Sequence, residues 1–110
     1  MPMDIRDVTE LVRFEPGRRP FRAPLVESEH IYSEIVCLEA NQETEVMGDA
    51  EADAMFTTLA GEVVIWMNRK SRRLKQWHSV VAPAGTEVTL KSASPEPSVV
   101  LVVTAPPPAS

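Results

Sequence analysis

Met55-Phe-Thr-Thr-Leu-Ala-Gly61 and Val81-Ala-Pro-Ala-Gly85 are the stretches whose reading decides the fold. The first is a strand-forming run closed by Ala60-Gly61, a tight turn. Val63 to Met67 follows at once as another strand, and Asn68-Arg-Lys-Ser71 reads as a polar hairpin tip. Leu74 to Trp77 is the returning strand. The second stretch closes a short strand, Val80 to Ala82, at Pro83-Ala-Gly85. Proline fixes φ and glycine accepts positive φ, which suits a sharp reversal. Thr86 to Lys91 then alternates strictly, Val88 and Leu90 on one face and Glu87 and Thr89 on the other.

Working outward, Ile31 to Leu38 is strand-like, with Ser33, Ile35 and Cys37 facing one way and Tyr32, Val36 and Leu38 the other. Glu39 to Gln42 is a turn in which Asn41 tolerates left-handed backbone angles. Residues 43 to 53 are acidic and small, a loop or edge segment. After a turn over Ser92 to Ser98, Val99 to Val103 is apolar throughout, as in a strand buried on both faces. Asp4 to Val8 reads as a short strand or turn. Three prolines between Glu15 and Pro24 exclude a helix or a central strand there. The expected organisation is an arm over residues 1–29, packed on the barrel or on a dimer partner. A barrel over 30–105 and a proline-rich tail over 106–110 complete it. Seven or eight short strands at spacings of about 8 to 12 residues predict an all-β antiparallel sandwich or barrel.

Bulk properties bound the function. The chain has 110 residues, one domain's worth, and is 44% hydrophobic and 25% charged. Its net charge of −5 argues against nucleic acid as a partner, since phosphate binding needs a basic field. No stretch approaches the roughly 20 apolar residues of a membrane helix, and no membrane association is expected. Met-Pro-Met-Asp-Ile-Arg does not resemble a signal peptide, so the cytoplasm is the default expectation. The single cysteine, Cys37, reads as a small buried hydrophobe. Charge is segregated. Eight acids and no Lys or Arg lie between Ile31 and Asn68, whereas Arg69, Lys70, Arg72, Arg73 and Lys75 cluster after them. Solvated loops account for this, and so do complementary faces in a homodimer. Trp66 and Trp77, read as strand residues flanking the basic hairpin, favour the dimer contact.

The turns and their spacing resemble the cupin superfamily, small jelly-roll barrels also described as double-stranded β-helices. Met55 to Gly61 matches the end of the family's first motif, and Val81 to Gly85 matches the Pro-x-Gly turn of its second. The fifteen residues from Glu62 to Gln76 fit the connection between the two. The resemblance implies that the family's paired histidines fall at Met47 and Asp49, its glutamate at Ala54 and its second-motif histidine at Val88. It also places the family's second-motif glycine at Trp77. One carboxylate, one thioether, one methyl and one isopropyl do not make the three or four donors a mononuclear site needs. No metal and no other cofactor is therefore expected.

On this register Met47, Asp49, Ala54, Phe56, Thr58, Val88 and Leu90 point into the barrel and are the candidate ligand-binding residues. They form either a filled core or an apolar pocket with Asp49 and Thr58 as polar anchors. The leading function is a metal-independent barrel that binds a small organic ligand in its mouth. An alternative is a cupin-type enzyme (isomerase, lyase or oxygenase) using Asp49 as a general base or a non-standard metal site. Another is a protein-interaction module. The balance is against an enzyme. Asp49, Glu51 and Asp53 would share a face on an extended strand, a weak site for a hard cation. His30 and His78 read as exposed structural residues.

Overall fold

The computed structural model describes residues 3–108; the first two residues of the arm and the last two of the tail lie outside the described residues. Eight strands follow in order: β1 (Phe21–Glu27), β2 (Tyr32–Leu38), β3 (Asp53–Ala60), β4 (Glu62–Met67), β5 (Lys70–Lys75), β6 (Ser79–Ala82), β7 (Val88–Ser92) and β8 (Ser98–Ala105). They form a five-stranded sheet of order β1-β2-β8-β3-β6 facing a three-stranded sheet of order β5-β4-β7. Every pairing is antiparallel. This is the all-β antiparallel barrel expected from the strand spacing, with the jelly-roll form that the cupin resemblance implies.

The continuous apolar character of β2 and β8 follows from their position. They are central strands buried on both faces. Val36, Leu38, Val100 and Val102 point between the sheets, where they meet Phe56, Val63, Ile65 and Leu90. Ile35, Cys37 and Val99 point outward and are covered by Val8, Leu11, Val12 and Phe14. The segment 8–14 therefore acts as a lid on the outer face of the larger sheet. Val8–Leu11 within it is a single 3-10 turn, not a strand, because the Asp7 carboxylate accepts the Thr9 N–H and caps it. Part of the expected arm is itself sheet. β1 is an edge strand, and its pairing with β2 shifts register between Pro24 and Val26, which is where a proline without an N–H fits.

Among the described residues three non-glycine residues adopt positive φ: Asn41 (67°), Asn68 (58°) and Trp77 (70°). The asparagines suit it. Trp77 is a correction to the sequence reading: it lies in the turn between β5 and β6, not on a strand. Its N–H donates to the Thr58 carbonyl at 2.7 Å, and the His78 N–H closes the turn on the Lys75 carbonyl at 2.9 Å. Gly61, at φ 72°, is required twice over, since an added Cβ would lie 2.7 Å from the Pro97 carbonyl oxygen. Among the described residues no helix is long and apolar enough to cross a membrane.

Candidate functional site

The segment before β3 builds one side of the barrel mouth. It runs along the free edge of β7, where Met47 and Val88 exchange backbone hydrogen bonds of 2.7 Å in both directions. The Thr44 N–H donates to the Leu90 carbonyl at 2.9 Å, and the Thr44 hydroxyl accepts the Leu90 N–H at 3.0 Å. This pairing fixes Met47 over the interior. Gly48 then passes so close to Thr86 that a Cβ would sit 2.4 Å from its carbonyl oxygen. The Asp49 carbonyl accepts the Gly85 N–H at 2.8 Å, which ties this segment to the Pro83–Gly85 turn.

Between the sheets these contacts leave a cavity of about 290 Å³. Five of the candidate residues line it: Met47, Asp49, Ala54, Phe56 and Val88. Thr58 and Leu90 do not. Both are fully buried beyond the cavity floor, and the Thr58 hydroxyl is already committed to the Leu74 carbonyl at 3.1 Å. Thr58 is therefore an internal tie between β3 and β5 rather than a polar anchor for a ligand. The acids 49, 51 and 53 do not converge either. Asp49 Oδ1 accepts the Glu51 N–H at 2.7 Å in a local turn, and Asp53 Oδ1 accepts the Ala84 N–H at 2.8 Å. The turn replaces the extended strand that would have put all three on one face. His30 and His78 are exposed and line no part of this cavity.

The polar wall of the mouth comes from residues that the sequence reading did not single out. Arg22 on β1 and Tyr32 and Glu34 on β2 all line the cavity, with Thr104 of β8 beside them. Arg22 pairs across the sheet with Val36, so its side chain lies diagonal to Glu34 on the same face. Arg22 donates to Glu34 Oε1 through Nε at 2.9 Å and also through Nη2. The Tyr32 hydroxyl donates to the other oxygen, Oε2, at 3.0 Å. Glu34 is only 6% exposed, so this carboxylate is held by charge-assisted bonds rather than by water. Burial, together with the neighbouring Glu34 carboxylate, pushes the Tyr32 phenol above its ordinary value. The sequence signal was a glutamate on the inward parity of an otherwise apolar strand, Tyr32-Ser-Glu-Ile-Val36. Its arginine partner sits twelve residues away on another strand, out of reach of any local pattern.

No family model and no curated protein matches the sequence. Solved structures do. The TT1209 protein from Thermus thermophilus is 30% identical with a TM-score of 0.88, over 96% of this chain and 100% of that one. An RmlC-like cupin protein from Desulfovibrio desulfuricans is 25% identical with a TM-score of 0.84, over 96% and 99% of the two chains. A protein with a double-stranded beta-helix domain from Klebsiella pneumoniae is 24% identical with a TM-score of 0.87, over 96% and 91%. The chain belongs to the cupin superfamily.

As a cupin it departs from the family's metal chemistry at the donor positions themselves. Met47, Asp49, Ala54 and Val88 all line this cavity. Only Asp49 among them offers a hard oxygen donor, and one of its oxygens already binds a backbone N–H. The side chains present do not fit a mononuclear metal. Among the described residues no group of three or more His, Cys, Asp or Glu is placed to hold one.

Proposed function

We propose that this cupin binds a small organic molecule in its barrel mouth and does so without a metal ion. The observation that carries the reading is the replacement of the family's donors, on a cavity that stays open, by Met47, Asp49, Ala54 and Val88. Filling a core would have closed that space; here about 290 Å³ persists, the volume of on the order of ten water molecules at about 30 Å³ each. Met47, Phe56, Val88 and Val102 offer apolar surface, while Arg22, Tyr32 and Thr104, all on the larger sheet, offer hydrogen bonds. Arg22 and Glu34 neutralise each other. The ligand this surface suits has an apolar body and a neutral head that both donates and accepts hydrogen bonds.

The test has two stages. Metal content of untagged protein is measured by mass spectrometry, with less than about 0.1 ion per chain expected. Neutral amphiphilic molecules are then screened by thermal shift. A ligand at about 100 times its Kd adds about 2.7 kcal/mol of stability. Ala54→Leu, which fills the mouth, abolishes that shift. Near-stoichiometric iron, manganese, nickel or zinc, or a shift that survives Ala54→Leu, overturns the reading. The proposal includes a homodimer. It is supported by the outward row Val26, Ser33, Val103, Met55 and Val81, apolar but for the serine, which crosses the larger sheet, Val81 being 54% exposed. Sedimentation showing a monomer at every concentration removes that part. A cytoplasmic setting belongs to the same reading, since a lone buried thiol such as Cys37 suits a reducing compartment.

A further inference from the structure

A second concavity adjoins the mouth, sharing Pro83 and Thr86 with it, and opens between the free edges of β5 and β6 with a volume of about 900 Å³. Leu74 and Val80 contribute apolar surface to it, and its other lining residues include Lys70, Arg72, Arg73, Trp77 and His78. By strand alternation Lys70 and Arg72 share a face with Leu74, which is 6% exposed and part of the core. Two cations thus occupy the core-facing side of a sandwich sheet, at positions where apolar residues are the rule. Among the described residues neither has a carboxylate within 4.0 Å, whereas Arg73, which also lines the groove, is already paired with Glu62.

Trp77 supplies the second, independent observation. Its φ of 70° is one that Gly and Asn accept and that disfavours a bulky side chain. The residue is 72% exposed, so no core packing offsets that strain. The turn is rigid: Trp77 N–H donates to the Thr58 carbonyl at 2.7 Å, and Thr58 N–H donates to the His78 carbonyl at 3.0 Å. A strained, solvent-facing aromatic on a hydrogen-bonded turn, lining the same groove as two unpaired cations, is arranged for a ligand rather than for stability.

We propose that this groove is a second binding site, for a small flat aromatic anion whose ring stacks on Trp77 and whose anionic group meets Lys70 and Arg72. The chemistry is local. The whole protein carries a net charge of −5 and repels anions in general, so selectivity comes from the two cations and the ring acting together. One ring and two cations in one groove define a compact ligand, while an extended acidic segment would need a longer row of partners.

The probe is benzene-1,3,5-tricarboxylate, titrated by isothermal calorimetry, a readout that does not depend on Trp77 being present. Saturable binding is expected, weakening as salt rises. Trp77→Gly weakens it about tenfold or more, and so does the double variant Lys70→Ala/Arg72→Ala. Sulfate, which lacks the ring, and benzyl alcohol, which lacks the charge, do not saturate. Ala54→Leu in the mouth binds the probe as the parent does. Trp77→Asn, which also accepts positive φ, stands in if the glycine variant does not fold. Binding unchanged in Trp77→Gly or Trp77→Asn overturns the proposal. So does no saturation by about 10 mM, or loss of binding in Ala54→Leu. Dissociation of a dimer by Lys70→Ala/Arg72→Ala with probe binding unaltered also overturns it, and assigns the groove to a second copy of the chain.

Discussion

Replacing Arg22 by Met strips two N–H donors from the carboxylate of Glu34 and leaves it with Tyr32 alone. The Glu34 side chain is 8% exposed and that of Arg22 is 44% exposed, so the loss is asymmetric. A hydrogen bond to a charged group contributes roughly 1.5–3 kcal/mol. Water entering from the cavity replaces part of it, and Arg22→Met is expected to cost about 2 kcal/mol, or about 8 °C in Tm. Glu34→Leu is milder, about 1 kcal/mol, because the half-exposed guanidinium turns to water and the leucine packs. The double variant should also cost only about 1 kcal/mol, since nothing charged is left stranded. The coupling energy is then about 2 kcal/mol. Arg73 and Glu62, with side chains 62% and 24% exposed, form the control pair and should couple by about 0.5 kcal/mol or less. Urea unfolding followed by circular dichroism measures all four corners of each cycle. Additivity at Arg22–Glu34 within about 0.5 kcal/mol would refute the claim that burial, rather than mere proximity, gives this pair its strength.

Two glycines test backbone conformation against space. Gly85 has φ 87° with open room around it, so Gly85→Ala should cost about 1 kcal/mol. Gly61→Ala also drives a Cβ into the backbone of Pro97 and Ser98 and should exceed about 3 kcal/mol; equal urea midpoints would contradict that difference. The folded state holds the Tyr32 proton more tightly than the unfolded chain, whose phenol titrates near 10.0. That stabilisation is whole below the unfolded value and is lost as pH rises through the folded one. Tyr32→Phe should therefore show a shallower fall in stability between about pH 9 and pH 11 than the parent, measured by urea midpoints. Burial raises the Cys37 thiol, and the residue is 0% exposed. Iodoacetamide should label it only at the rate of unfolding, and rapid labelling of native protein would show that the lid of residues 8–14 opens on its own.

Several features of the fold and site were legible because they rest on local geometry. The strand periods, the turns at Gly61 and Gly85 and the positive φ of Asn41 depend on what each residue type does to its own backbone. Parity along β3 and β7 was enough to send Ala54, Phe56 and Val88 inward. Parity says nothing about depth, and depth separates Phe56, at the cavity, from Thr58 and Leu90 beneath it. Trp77 was misplaced because the closing turn of β5 demands a left-handed residue there, and nothing in the sequence marks a tryptophan as one.

The sequence by itself determined that this chain is a β-barrel of cupin type and that its donor positions carry the wrong chemistry for a metal. Both follow from residue identity at short range, through alternation, turn propensity and ligand softness. Only the tertiary structure decided that the mouth stays open, that Arg22, Tyr32 and Glu34 wall it, and that Lys70, Arg72 and Trp77 share a groove. Cavities and ion pairs arise from strands brought together across the sheet, and their spacing is set by register and packing that no local stretch encodes.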